Sequence, residues 1–365
     1  SANLLTDKPL VKWSNIRVPE EMMDMVPPDV KELWLEKDKG SITTTEFDND
    51  IVWAFGGLHS TNNKKKVFKD VVLLDVASLY PNIMVNYDIL GSATKKYKEI
   101  LEERIRIKHT DPDKQAALKL VLNSVYGLLK NQYSVLFNPK ASTTVCAIGQ
   151  IILYDLATRL APTCDIVQLN TDGVAIVPHT DDYKTVWKEW EKDWNFTLEE
   201  ERYNLFIQKD VNNYIAVSPD GKIKTKGGDV SRYNKDNVFN NNSARIIDIA
   251  IVEYLVNGKD VIETLMENLD EPKLYQYILQ AGSTYLGTYD KEGNKYNKIN
   301  RVFATKKGDL QLFKKRHDGG IVKFADLCEK MFLWNDDVSK LEEFDKIVDL
   351  NHYYQIVMKK LEAWK

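Results

Sequence analysis

The sequence predicts an α+β fold, and three observations carry that reading. Residues 165–179 and 212–228 each place extended stretches around a tight turn, as antiparallel hairpins do. Residues 93–108 and 114–130 are helix-forming stretches on either side of the short turn His109–Asp113, which makes a helical hairpin. Residues 71–74, Val-Val-Leu-Leu, form a continuous apolar run that suits a strand buried on both faces.

Taken in order, residues 1–60 are mixed and carry turn signals at Pro27-Pro28 and Gly56-Gly57. The buried strand spans Phe68 to Val76 and is followed by the helical hairpin. A third helix covers 142–160. The stretch "DIVQLNTDGVAIVPH" reads as strand, tight turn, strand, and a Trp- and Lys-rich helix follows from Asp181 to Trp194. Pro219-Asp220-Gly221 supplies the turn of the next hairpin. Residues 244–258 and 271–282 read as helices, with mixed structure after them, and residues 351–365 close the chain as a helix. No internal repeat is visible, and Asn240, Asn241 and Asn242 read as a linker.

A chain of 365 residues suggests two or three domains, and its 43% hydrophobic share can fill a sizeable core. That core absorbs most of the 8 Trp and 18 Tyr. No uninterrupted apolar run approaches the roughly 20 residues of a membrane span, and no basic-then-apolar signal peptide opens the chain. Cys146, Cys164 and Cys328 lie far apart without metal-ligand spacing, so they are expected to be reduced core residues of a cytoplasmic protein. A net charge of −4 argues mildly against a general nucleic-acid binder, but charge is clustered. Basic groups gather at 64–66, 95–108, 222–226, 306–307 and 314–316. Each cluster alone reads as a solvated face.

Three short motifs invite chemistry, and each alone has a plainer explanation. Asp75-Val76-Ala77-Ser78-Leu79-Tyr80-Pro81 ends the buried strand on a carboxylate, where a helix cap or turn residue is common. In the second helix Lys119, Asn123 and Tyr126 fall at i, i+4 and i+7 and share a face, with Ser124 and Gly127 between and beside them. Arg104 and Lys108 share a face of the first helix. If those faces meet, three cations converge and need an anion such as a triphosphate; otherwise they pair with Glu99, Glu102 and Glu103. Asn170-Thr171-Asp172-Gly173 tips a hairpin, where Asn, Asp and Gly suit the turn in any case.

In this order, the three resemble motifs A, B and C of the family B DNA polymerases. The first two, D-x-x-S-L-Y-P and K-x-x-x-N-S-x-Y-G, match position by position. "GGLHS" (Gly56–Ser60) sits ahead of the first, as in polymerases of many bacterial viruses, and "NPKASTT" (Asn138–Thr144) follows the second. The resemblance covers residues 55–228; the C-terminal third is similar to the family's thumb in position only.

The resemblance implies a right-hand polymerase fold with an antiparallel palm sheet, a helical fingers hairpin and a mixed thumb. Residues 1–62 are then an N-terminal segment, 63–92 and 131–230 the palm, 93–130 the fingers and 231–365 the thumb. It implies template-directed addition of deoxyribonucleotides to a primer 3′ end by two-metal phosphoryl transfer. Asp75 and Asp172, with the Val76 carbonyl, would hold two Mg²⁺ ions, for which Mn²⁺ could substitute. Ser78, Leu79, Arg104, Lys108, Lys119 and Asn123 would bind the nucleotide. Tyr80 would lie under its sugar and exclude a 2′ hydroxyl. Tyr126, Gly127, Asn170, Thr171, Tyr214 and Lys226 would meet DNA. Lys306, Lys307, Lys314, Lys315 and Arg316 would meet duplex phosphates without reading sequence. Closure of the helical hairpin would complete the site.

Three departures matter. Asn170 stands where the family has the first of two Asp residues, which removes one charge near the ions. Asn212 stands where the family's primer-holding Lys does, with Lys209 or Lys226 as replacements. Only 74 residues precede Asp75, too few for a 3′–5′ exonuclease domain, so no proofreading is expected from this chain, whether split product or fragment. The implied partners are primer–template DNA, deoxyribonucleoside triphosphates and a separate exonuclease or other replication protein, with no membrane and, for a viral protein, a location in the host cytoplasm. Two other readings stay open. One is a catalytically silent relative that binds primer–template or a replication protein. The other is an RNA-synthesising enzyme, which Tyr80 opposes.

Overall fold

Leu73 and Leu74 are buried, as are Val71 and Val72 before them, so this strand is covered on both faces as its sequence predicts. The computed structural model describes residues 16–37, 40–235, 243–324 and 327–365. Asn240–Asn242, read as a linker, lie outside the described residues. Contacts divide the chain into two units, Ser1–Leu205 and Phe206–Lys365. Each mixes helices with antiparallel strands, in keeping with the α+β class.

In the first unit, α1 (Glu20–Met23) and α2 (Pro28–Glu32) precede a meander of β1 (Ile42–Glu46), β2 (Asn49–Ala54) and β3 (Gly57–Asn62). The buried strand is β4 (Val67–Val76). Then come α3 (Leu79–Asn86), the hairpin of α4 (Thr94–Ile107) and α5 (Pro112–Lys130), and α6 (Pro139–Leu160). The hairpin β5 (Cys164–Asn170) and β6 (Gly173–Pro178), α7 (Tyr183–Trp194) and β7 (Leu198–Asp210) follow, β7 carrying the chain into the second unit. The strands of the first unit run β1-β2-β3-β5-β6-β4. The β5–β6 hairpin is thus inserted between β3 and β4, and its β6 strand sets Gly173 opposite Asp75.

Two helices begin earlier than the apolar periodicity indicates. The Asp111 side chain accepts from Lys114 N at 3.0 Å with Pro112 at the first helical position. Asn138 accepts from Ala141 N at 3.0 Å, with Pro139 next. A side-chain cap followed by proline satisfies the orphan N–H groups, so each helix starts there. The Tyr97 hydroxyl of α4 donates to the Leu122 carbonyl of α5 at 3.1 Å and pins the two together.

The core collects around α6, where Ile148, Ile151, Ile152, Leu153 and Leu156 are fully buried. Each such side chain contributes about 1.5–3 kcal/mol. By length and composition α6 could cross a membrane, contrary to the reading of its broken apolar run, but 83% of that window is buried inside the chain. Its Thr143, Thr144 and Gln150 interrupt the run and are buried too. Cys146, Cys164 and Cys328 are free and buried, as expected.

In the second unit, β8 (Asn213–Val217) pairs with β9 (Ile223–Lys226) around Gly221 at φ 82°. Helices α8 (Arg245–Asn257) and α9 (Val261–Glu267) follow. The helix expected at 271–282 is instead a 3₁₀ turn, Pro272–Tyr275, and then β10 (Tyr277–Gln280). Tyr277, Ile278 and Leu279 are all buried, so the aromatic and branched run packs as a covered strand rather than as one face of a helix. Six strands form two antiparallel sheets: β10 with β12 (Ile299–Ala304) and β15 (Met331–Leu333), and β11 (Tyr285–Tyr289) with β13 (Phe313–Arg316) and β14 (Ile321–Lys323). After α10 (Phe344–Ile347), α11 (Leu350–Glu362) ends the chain as a helix.

Candidate active site

Asp75 reaches the end of β4 directly across from Gly173. A Cβ on Gly173 would stand 2.0 Å from Asp75 Oδ1, so only glycine leaves room for that carboxylate. The next residue, Val76, donates its N–H to the Asp172 carbonyl at 2.7 Å. One backbone bond therefore joins the two carboxylate-bearing segments.

The hairpin tip is held from β3. Thr171 adopts φ 50°, a left-handed conformation that a branched side chain rarely takes. Its N–H donates to the Leu58 carbonyl at 2.9 Å, and its Oγ1 lies 3.0 Å from His59 Nε2. Gly57, at φ 125°, has no side chain to strike Thr171, whose Cγ2 would lie 3.0 Å from a Cβ there. The "GGLHS" stretch thus props up the turn that presents Asp172. Asn170 ends β5 opposite both His59 and Gly173.

After Val76 the chain turns sharply. Ser78 is left-handed at φ 53°, and the Asn82 amide clamps the turn by donating to the carbonyls of Ala77 (2.8 Å) and Ser78 (3.1 Å). Arg104 Nη1 donates to Ser78 Oγ at 2.5 Å. The result is a pocket of about 300 Å³ lined by Asp75, Val76, Ser78, Leu79, Tyr80, Arg104, Lys119, Asn123, Thr171, Asp172 and Glu199. Three carboxylates, Asp75, Asp172 and Glu199, thus line one pocket with two cations from separate helices.

Lys108 stands apart. It pairs with Glu199 and lines an adjoining cleft with Ser78 and Arg104. The nearby acids take other partners: Glu99 pairs with Lys96, Glu102 with Lys98, and Glu103 with Arg106 and Lys114. Glu199 is a pocket residue that sequence reasoning missed. It sits in an acidic run, and nothing there distinguishes it from its neighbours.

Tyr80 packs its ring 4.5 Å from Tyr126, and Lys130 Nζ lies 4.6 Å from the Tyr126 ring. Burial pushes the Tyr80 phenol far above its ordinary range, and Cys146, Tyr126 and Asp172 add to the rise. A Cβ on Gly127 would meet nothing within 4 Å, so the protein itself does not require glycine there.

Among the described residues, no group of three or more His, Cys, Asp or Glu could hold a metal ion by itself. Asp75 and Asp172 line one pocket and would supply two carboxylates to an ion bound there. That donor set suits Mg²⁺, which usually takes one or two carboxylates and completes its shell with phosphate and water oxygens.

Tyr214 and Lys226 belong to the second unit, where they face each other across β8 and β9. Lys226 Nζ lies 5.7 Å from the Tyr214 ring. Lys209 is engaged by Asp229 at 2.7 Å. On β13, Lys314 and Lys315 lie over the rings of Tyr285 and Tyr289, at 4.8 and 5.2 Å.

Residues 90–186 match the family model of DNA polymerase family B. That span holds Arg104, Lys119 and Asp172; Asp75 lies before it. Curated relatives are archaeal. The chain is similar to DNA polymerase 2 of Aeropyrum pernix, 20% identical over 71% of this chain and 36% of that protein. It is similar to DNA polymerase 1 of Sulfolobus acidocaldarius, 24% identical over 44% of this chain and 24% of that one. A third, the DNA polymerase of Thermococcus sp. 9oN-7, is 22% identical over 66% of this chain and 36% of its own. The chain thus spans about a third of these relatives or less. The solved family B DNA polymerase of Pyrobaculum calidifontis aligns with 82% of this chain and 45% of its own, at TM-score 0.49 and 16% identity.

Proposed function

We propose that the chain carries the polymerising site of a DNA-directed DNA polymerase, extending a primer 3′ end on a template. One observation supports this above the rest. A single pocket gathers Asp75 and Asp172 with Arg104, Lys119 and Asn123. Carboxylates facing cations is the arrangement that transfer of a triphosphate's α-phosphoryl group requires.

Asp75, Asp172 and the Val76 carbonyl would hold two Mg²⁺ ions, or Mn²⁺ in their place. Such ions activate the attacking hydroxyl and neutralise the leaving pyrophosphate. Arg104 and Lys119 balance the triphosphate charge, and Lys108 joins them by leaving Glu199. Ser78 and Leu79 offer the turn at the start of α3 to the phosphates, and Asn123 lines the same pocket. Tyr80 lies beneath the sugar and excludes a 2′ hydroxyl. Tyr126, Gly127, Asn170 and Thr171 flank the nascent pair, and Tyr214 and Lys226 contact the primer strand. Residues 63–92 and 131–230 act as palm, 93–130 as fingers and 231–365 as thumb. Primer–template DNA and deoxyribonucleoside triphosphates are the substrates. A separate exonuclease or other replication protein, and a cytoplasmic setting, complete the reading. The bacterial-virus affiliation rests on the Gly56–Ser60 resemblance and on the compact fingers.

Primer extension on a recessed DNA duplex with Mg²⁺ tests the proposal, comparing the protein with Asp172→Ala. Extension should fall at least about a hundredfold in the variant, the scale on which a group stabilising transition-state charge acts. Asn170, standing where family B has a carboxylate, favours a second reading: a silent relative that binds primer–template. Binding without extension, in Mg²⁺ and in Mn²⁺, would select it.

A further inference from the structure

We propose that Gly149 is the seat of the Tyr80 ring, and that this seat sets how strictly the site separates deoxyribonucleotides from ribonucleotides. The proposal rests on the nucleotide-addition reading above and deepens it. Gly149 lies in the middle of α6, where glycine is disfavoured for a helix. Its φ is not left-handed, so the backbone does not call for glycine. The reason is on the far side of the contact. A Cβ at position 149 would stand 3.1 Å from Tyr80 Cε1, 3.5 Å from Ile83 Cδ1 and 3.6 Å from Leu79 Cδ2.

The wall behind the ring cannot retreat. Cys146 Sγ donates to the Phe55 carbonyl at 3.1 Å, and Gln150 Nε2 donates to the Ala54 carbonyl at 3.0 Å. These bonds tie the face of α6 that bears Gly149 to the end of β2. Tyr126 flanks the ring at 4.5 Å, and Ile83 is fully buried. The open direction is the pocket that Tyr80 lines. A methyl group at position 149 therefore moves the ring a few tenths of an ångström toward the sugar. Repulsion rises steeply at contact, so a displacement that small changes what the gate admits. Gly149 touches no substrate; it is a positioning residue.

The test is single-nucleotide primer extension with deoxy- and ribonucleotides by the unmodified protein, Gly149→Ala, Tyr80→Val and the double variant. Gly149→Ala should raise the ratio of kcat/KM for deoxy- over ribonucleotide at least about threefold, acting mainly through KM. Tyr80→Val should collapse the ratio. In the Tyr80→Val background the alanine should shift it by less than about twofold, because the ring it pushes is gone. If Gly149→Ala leaves the ratio unmoved while Tyr80→Val collapses it, the seat is overturned and the polymerase reading stands. An equal effect in both backgrounds also overturns the seat, since the helix and not the ring would then be responsible. Failure of the unmodified protein to extend any primer removes the reading underneath. Should Gly149→Ala not fold, Ile83→Val removes the Cδ1 that lies 3.5 Å from position 149 and so loosens the packing at the seat; it should lower the ratio, and an unchanged ratio there counts against the seat.

Discussion

Gly173 brings no side chain to the pocket, and Asp75 depends on that. The backbone at this position is not left-handed, so its φ does not strain an alanine, and the nearest backbone atom, the Leu74 carbonyl oxygen, would lie 3.3 Å from the methyl. The clash is with Asp75 Oδ1, 2.0 Å from where the methyl would begin. Gly173→Ala should therefore turn the Asp75 carboxylate aside and cut primer extension at least about a hundredfold, the cost of misplacing a reacting group by an ångström. The unfolding midpoint should move by no more than a few degrees, which a thermal melt would check. If extension survives, Asp75 does not work from the rotamer described. Asp75, Tyr80 and Lys119 were visible in the sequence because each sits in a short motif with fixed spacing. Gly173 and Gly149 were not legible as site residues. What makes them glycine is an atom on another strand or helix, and no local pattern records it. Glu199 was hidden for the same reason: its partner Lys108 is 91 positions away.

Elements were legible where periodicity and burial agree. The four apolar residues of β4 and the paired stretches of α4 and α5 give unambiguous patterns. Helix starts were set instead by the caps at Asp111 and Asn138. β10 was misread because a short, fully covered strand and a buried helix look alike in sequence. The connection from β9 to α8 carries a feature that no pattern announces. Asp248, fully buried on α8, accepts from Arg232 N at 2.9 Å and from Arg232 Nε at 3.1 Å. Burial pushes its carboxyl up to about 7 against the pull of Arg232. The folded chain then holds a proton at a pH where the unfolded chain, with its carboxyl near the ordinary value of about 4, has released it. Binding more protons when folded makes stability fall as pH rises from about 4 to about 7. Asp248→Asn keeps the shape and removes the titration. Melting at pH 5 and pH 8 should show the variant gaining on the unmodified protein at the higher pH. A constant difference would mean Asp248 is ionised throughout, with Arg232 winning.

For the whole molecule, a net charge of −4 tells little about DNA binding, because the basic groups are clustered along the chain. Arg104 and Lys119 line one pocket with three carboxylates, while Lys314 and Lys315 lie along one strand over aromatic rings. Under the proposed function, affinity for a labelled primer–template should fall at least about tenfold between 50 and 200 mM KCl, as phosphate contacts release counterions. An affinity indifferent to salt would sink the phosphate-binding role of these clusters. The α+β class was visible from hairpins and helices alone, whereas the order of the strands was not. It depends on the β5–β6 hairpin entering between β3 and β4, and that insertion is what sets Asp172 beside Asp75. The bond from Val76 to Asp172 then has an evolutionary and engineering consequence. It is a bond within the sheet and involves no atom of α4 or α5. Under the proposed function, residues of α4 and α5 could therefore be varied, shuffled or grafted from a relative without breaking the link between the two acidic segments.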